Sequence, residues 1–300
     1  MLRVLCIFNL SDAIADLFRG VINELFSAGL KTFSSLTKVA ISLLTKTPEE
    51  WNSAAWLNVK DISTAFVAVG SSLVAFFFLM GLFLELNQSR FETKLERVLF
   101  DVMKLLIAEY FVVNNFKIVS NFCKLGVKLC GFVIAASSDD MTLNVKFPDS
   151  FYNHLDELGG GQTFILVIIS LIFVGVMICA GGSLVLSSFK RFFKLLVIIP
   201  WGSVAASTFA GNNQIAASGV SFWKMTLNTI CETVTMLMAI VGFAKIFGSG
   251  DLIFFTSSEM NSCSDFEYCF IYMIERGLLV LTCATVVSSA AEHTRRALGL

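Results

Sequence analysis

Charged side chains are scarce. Lys, Arg, Asp and Glu make up 15% of the 300 residues and hydrophobic types 56%, whereas ordinary soluble domains carry about 25% charge. That excludes a soluble fold of the usual kind. A chain of this length builds no core large enough for so much apolar surface, but a bilayer accepts apolar side chains on the outside. An excess of one sign is also missing: 22 basic against 23 acidic residues leave a net charge of −1. There is no global basic field for nucleic acid, so contact with DNA or a protein substrate has to be local. Histidine is confined to His154 and His293, and no CxxC pair occurs, which argues against a metal site. GxxxxGK[ST], HExxH and GxSxG patterns are absent, which leaves ATPase and common membrane-hydrolase chemistry unsupported. The expectation is no enzyme, no catalytic residue and no cofactor. Gly159-Gly160-Gly161 lacks a following Lys-Ser or Lys-Thr and leads into an apolar run, so it reads as a hinge.

The start, MLRVLCIFNLSDAIADLF, carries Asn9, Ser11, Asp12 and Asp16 where a signal peptide needs a full apolar run, so the mature chain is expected to begin near Met1. Ile14, Leu17, Val21, Leu25, Leu36, Val39 and Leu43 recur at mostly helical spacing between charges. That predicts amphipathic helix over 11–44 with a break near Gly29, lying in the interface, on a neighbouring subunit or on its own bundle. Thr47-Pro48-Glu49-Glu50 combines an N-cap, a proline at N1 and a glutamate at N3, so a new helix starts there. Trp51 and Trp56 suit the headgroup region.

The fold class is all-α, a polytopic helical membrane protein. Residues 1–61 form an N-terminal amphipathic region and 62–300 the transmembrane domain, with spans near 62–86, 98–122, 163–189, 226–247 and 270–291. Each reaches the roughly 20 residues a bilayer needs. The second span carries charges and is expected to kink or break near Asn114-Asn115. The clusters Arg90/Lys94/Arg97, Lys190/Arg191/Lys194 and Arg295/Arg296 fall on the cytoplasmic side by the positive-inside rule. The loops 137–162 and 248–269, almost free of cations, fall outside. The segment FKRFFKLLVIIPWGS then decides the count. A full span over 192–209 breaks the rule twice, and a segment 192–213 that dips in and returns satisfies every loop. Pro200, Trp201 and Gly202 make a plausible apex, the alternative being a kinked ordinary span. With re-entrance there are five full spans, the N-terminus outside and the C-terminus cytoplasmic.

Asp101, Lys104, Glu109 and Glu232 fall within the apolar runs. Each costs roughly 2.5 to 3.5 kcal/mol at a helix centre and so needs a partner or water. Asp101 and Lys104 are spaced to pair on one helical face, while Glu109 and Glu232 are candidates for a hydrated path. Cys6, Cys123, Cys130, Cys179, Cys231 and Cys283 read as small buried hydrophobes. Cys263 and Cys269 sit in a loop expected outside, where a disulfide is possible.

In feature order the chain resembles the polytopic membrane channel subunits of type IV secretion systems, the TrbL-type family of conjugative elements. The resemblance is carried by the amphipathic N-terminal region, the entry TKTPEEWNSAAWLNVKDIS, the basic-to-apolar SSFKRFFKLLVIIPWGSVAASTFAGNNQIAASGVSFWKMTLNTI, and the final SSAAEHTRRALGL. It implies a non-catalytic subunit of the bacterial inner membrane that forms or gates a passage for DNA or protein. The implied partners are further copies of itself, other secretion subunits including ATPases, the lipid bilayer and transferred single-stranded DNA. Pro200, Trp201 and Gly202 become gate candidates. Lys190, Arg191, Lys194 and Lys224 become candidates for contact with an anionic strand or an ATPase, against the plainer reading that they only set topology. The alternatives are a stand-alone small-solute transporter or channel, for which no internal repeat is evident, and a purely structural scaffold.

Overall fold

The structure, a computed structural model, describes the backbone of residues 2–88, 95–137, 149–248, 254–255 and 263–299, and the side chains of 13–84, 99–137, 149–248, 254–255 and 263–299. Among the described residues the chain is helical: α1 Leu2–Leu44, α2 Pro48–Trp51, α3 Ser53–Gln88, α4 Leu95–Ala136, α5 Asp149–Asp156, α6 Gly160–Ser207, a 3-10 turn Thr208–Ala210, α7 Asn213–Gly248, α8 Asp265–Ser288 and α9 Ala290–Ala297. The segments Ser53–Leu84, Leu99–Ala136, Gly160–Ala210, Asn213–Gly248 and Asp265–Ser288 are long and apolar enough to cross a membrane. Their outer faces carry Leu79, Phe83, Leu171 and Leu186 at 63% to 69% exposure, which only a lipid solvent tolerates in such number. The chain is an all-α polytopic membrane protein. Arg90, Lys94, Arg97, Asp139, Asp140, Lys146, Asp251, Glu259 and Cys6 have side chains outside those described, so their part in the loop-charge reading is not addressed.

Local chemistry fixes the helix starts. The Thr47 N–H donates to Glu50 Oε2 at 2.8 Å and the Glu50 N–H to Thr47 Oγ1 at 3.2 Å, with Pro48 at the first helical position. Ser264 and Glu267 repeat the reciprocal box at the start of α8, at 3.0 and 3.5 Å. Each satisfies amide donors that the first helical turn leaves open. Three expected helix breaks are absent. α1 passes through Gly29, α4 through Asn114-Asn115, and α6 joins the two segments expected at 163–189 and 192–213. Gly29 serves close packing instead, since a Cβ there would stand 3.1 Å from Val174 Cγ2. The Asn114 amide donates back to the Tyr110 carbonyl at 3.0 Å and stays within the helical pattern. α3 runs unbroken through the expected boundary at 61/62.

The chain divides into two compact units. The first comprises 1–42, 134–187 and 236–289. In it α1 buries Ala15, Ile22, Phe26, Gly29, Phe33, Thr37 and Ala40, at intervals of seven, or of three and four, that keep one face of a helix. Ile14, Leu17 and Val39, assigned to the packed face from sequence, are 43%, 64% and 45% exposed. Phe26 packs on Phe151 and Phe173 at ring separations of 5.9 and 5.0 Å, and Phe33 on Phe243 at 5.9 Å. α5 docks on α8: His154 Nδ1 donates to Asp265 at 2.7 Å, the Ser150 and Tyr268 hydroxyls meet at 3.1 Å, and Cys269 Sγ lies 3.9 Å from the Phe151 carbonyl. Deep in α8, Arg276 is 1% exposed. It donates to the Phe247 carbonyl in the last turn of α7 at 3.2 Å and lies 5.2 and 5.0 Å from the rings of Phe247 and Tyr272. A cation at a helix C-terminus meets the negative end of its dipole.

The second unit comprises 43–133, 188–235 and 290–300. One core cluster joins Trp56, Val59, Val119, Cys123, Leu195, Ile199 and Ile230. A second joins Val74, Ala108, Val112, Ala206 and Ala210. α3, α4 and the later part of α6 therefore share one interior, and the candidate site lies within it.

Candidate functional site

The proline segment is not an apex. α6 runs 48 residues with Pro200 inside it. Proline removes the amide that the Leu196 carbonyl would accept from and usually kinks or breaks an aqueous helix. In a membrane protein, neighbouring groups reinforce such a point. Here Asn115, 0% exposed on α4, donates its Nδ2 to the Ile199 carbonyl at 2.8 Å. Ser203 Oγ donates back to the Val112 carbonyl on α4 at 3.2 Å. Gly202 serves close packing and not a turn, because a Cβ there would lie 2.7 Å from Asn115 Cγ and 2.8 Å from its Nδ2. Gly70 of α3 meets the same place, its Cβ position being 2.9 Å from both the Ser203 carbonyl oxygen and Val112 Cγ1. Small residues that let backbones approach and short polar side chains that tie them are the usual means of packing membrane helices. Trp201 faces outward at 54% exposure, edge-on to Phe66 at 5.3 Å.

The reversal comes further on. α6 ends at Ser207, the 3-10 turn follows, the Gly211 N–H donates to the Thr208 carbonyl at 3.1 Å, and the Asn212 side chain accepts from the Ile215 N–H at 3.1 Å to start α7. Gly81 of α3 packs on it, its Cβ position being 3.0 Å from Asn212 N.

The polar residues expected inside the membrane have separate partners. Lys104 and Asp101 pair at 3.0 Å, with Lys104 5.0 Å from the centre of the Phe100 ring. Glu109 Oε1 accepts from Ser71 Oγ of α3 at 2.8 Å. Glu232 is 7% exposed in the field of Lys194, Arg191 and Lys190, and its Oε2 has no hydrogen-bond partner among the described residues.

The basic set divides. Arg191 is 7% exposed and donates Nε to the Thr229 carbonyl at 3.3 Å, so it braces α6 against α7 and offers no surface contact, contrary to the sequence expectation. Lys190 is exposed. Lys194 and Lys224 line a cavity of about 520 Å³ that also takes in Arg295 of α9.

Cys263 and Cys269 are both thiols, against the disulfide considered from sequence. Cys269 is buried on the first turns of α8 with its sulfur toward Phe151, where a core position holds it. Cys123, Cys130 and Cys283 are buried as expected, whereas Cys231 is half-buried and Cys179 exposed. Among the described residues, no three His, Cys, Asp or Glu side chains are grouped to hold a metal.

Sequence reasoning missed Asn115 as a packing residue, the glycines facing it, Ser71, Ser203, Arg276 and Arg295. The available signal was a short polar or small residue on an otherwise apolar helix, which in a membrane marks an interface more often than a break.

Five membrane-length helices, two of them tied to a third at a polar crossing, define a multi-pass α-helical membrane protein. The family model described as TrbL/VirB6 plasmid conjugal transfer like protein matches residues 33–203, more than half of the chain, and the chain belongs to that family. No curated protein and no solved structure matches it. The family makes it a component of conjugal transfer that acts with other secretion-system components.

Proposed function

We propose that the chain is a non-catalytic subunit that forms or gates the translocation passage of a type IV secretion machine, for DNA or protein. Several copies enclose the passage in the bacterial inner membrane beside separate ATPases, with the N-terminus outside and the C-terminus cytoplasmic. The observation that carries this reading is the crossing at Pro200. A gate needs a helix that can bend without unfolding. Pro200 supplies the weak point, and the Asn115 and Ser203 bonds that brace it are worth about 0.6 to 2 kcal/mol each between membrane helices, small enough to exchange. The family match ends on Ser203 and so includes every residue of the crossing.

Photo-crosslinking residues at Val197, Trp201 and Ala205, in cells carrying out conjugation, test the conduit. Adducts with transferred DNA at one or more of them are expected. Their absence at all three while transfer proceeds normally would favour a scaffold. Uptake of a small solute by the protein reconstituted alone would instead support the transporter reading. For orientation, Asn212→Cys is expected to react with a membrane-impermeant maleimide only from the cytoplasmic side.

A further inference from the structure

We propose that the cavity beneath α9 binds the phosphate headgroup of an anionic phospholipid. Three helices of the second unit converge there, with Lys194 from α6, Lys224, Met225 and Asn228 from α7, and Glu292 and Arg295 from α9. The lid is fixed at two points. Asn228 Nδ2 donates to the Ala291 carbonyl at 3.5 Å, and the Thr235 and Thr294 hydroxyls meet at 2.7 Å. The cavity is thus part of the packed unit and not a gap between loose side chains.

Its lining is mainly basic. Three cations face one carboxylate, and that carboxylate, Glu292, already accepts from Arg296 Nη2. Among the described residues neither Lys194 nor Lys224 forms an ion pair, and Lys194 also acts on the buried Glu232 of α7, which does not line the cavity. A volume of about 520 Å³ lies in the range of small-ligand sites, and cations at this density call for a phosphate.

The surroundings select a lipid as its source. Met225 lines the cavity at 43% exposure, and Val220 and Leu227 on the same membrane-length helix are 44% and 39% exposed. Apolar surface beside a confined basic pocket suits a headgroup with its acyl chains running along the helix. A nucleic-acid strand needs a run of cations along its backbone, and this cavity gathers only three, beside a glutamate.

The test uses the full-length protein purified in a zwitterionic detergent. Native mass spectrometry counts retained lipid after titration with phosphatidylglycerol or phosphatidylcholine, and competition with free glycerol phosphate and with a single-stranded oligonucleotide follows. Retention of phosphatidylglycerol over phosphatidylcholine is expected. Lys224→Gln and Arg295→Gln should each weaken it about fivefold, Lys224→Arg should restore it, and Lys60→Gln, exposed on α3, should leave it unchanged. Equal retention of the two lipids, or undiminished phosphatidylglycerol binding by both glutamine variants, would overturn the proposal. Displacement by glycerol phosphate at equal concentration would assign the site to a soluble phosphate instead. Oligonucleotide binding with the same variant dependence, and no lipid retention, would assign it to nucleic acid.

Discussion

Substituting Gly202 by alanine adds one methyl group where α6 and α4 touch, and the cost follows from the neighbours. The new Cβ would lie 2.7 Å from Asn115 Cγ and 2.8 Å from Nδ2, so Asn115 has to move. It cannot swing into solvent, being 0% exposed. Turning away breaks its 2.8 Å bond to the Ile199 carbonyl and leaves a buried amide unpaired. Overpacking costs about 1 to 3 kcal/mol and the orphaned amide about 1 to 3 kcal/mol. The better helix propensity of alanine returns about 1 kcal/mol, for a net loss of about 1 to 5 kcal/mol. Asn115→Ala alone costs about 1 kcal/mol, because it deletes one bond together with an Oδ1 that has no partner. In the double variant the colliding atoms are gone, so its loss should fall short of the sum of the two single losses by at least about 1 kcal/mol. Denaturant unfolding in mixed micelles, read by tryptophan fluorescence, supplies all four corners of the cycle. A Gly202→Ala protein as stable as the parent, or a double variant that loses the full sum, would refute the packing account.

Gly70→Ala places its Cβ 2.9 Å from a backbone carbonyl oxygen, which has little room to retreat, and should lose about 1 to 3 kcal/mol in the same assay. Gly131→Ala, with open space around it, should be neutral or gain up to about 1 kcal/mol. Glu50→Ala removes one half of the α2 capping box and should cost about 1 kcal/mol, seen as a lower melting temperature. Arg276→Met gives up a charged hydrogen bond and two ring contacts. It should cost about 2 to 4 kcal/mol and open the α7–α8 contact to protease. Cys263 and Cys269 should both be alkylated after denaturation without reductant, and a mass two adducts short would refute the thiol assignment.

Hydropathy made the membrane-length helices and the TPEE start legible from sequence, because a bilayer requires about 20 apolar residues and a capping box has few other uses. It misled on which faces pack. On α1 Ile14 and Leu17 stand exposed, while small residues, Ala15, Gly29, Thr37 and Ala40, share the buried face with Ile22, Phe26 and Phe33. Close contact between helices admits small residues beside large ones, which apolar periodicity alone does not single out. The same limit applies to Pro200 and Asn115. Each reads as an interruption in isolation, and each lies in a continuous helix with a partner far away in sequence, which one chain read locally cannot reveal. Arg295 was read only as a marker of the cytoplasmic side, because its proximity to Lys194 and Lys224 exists only after folding.

α4 keeps one buried line, Asp101, Ala108, Val112, Asn115, Val119, Cys123, Gly126 and Cys130, along its whole described length. Successive residues turn by about 100° around a helix with 3.6 residues per turn. Deleting one residue near Lys117 would therefore rotate everything before it away from everything after it, and Asn115 could no longer face α6 while Cys123 and Gly126 held their places. Removing seven nearly preserves the angle but slides the line by about 10 Å, past Gly202. The helix is gauged in both angle and length, so its relatives should tolerate exchanged side chains along α4 far more readily than a changed residue count.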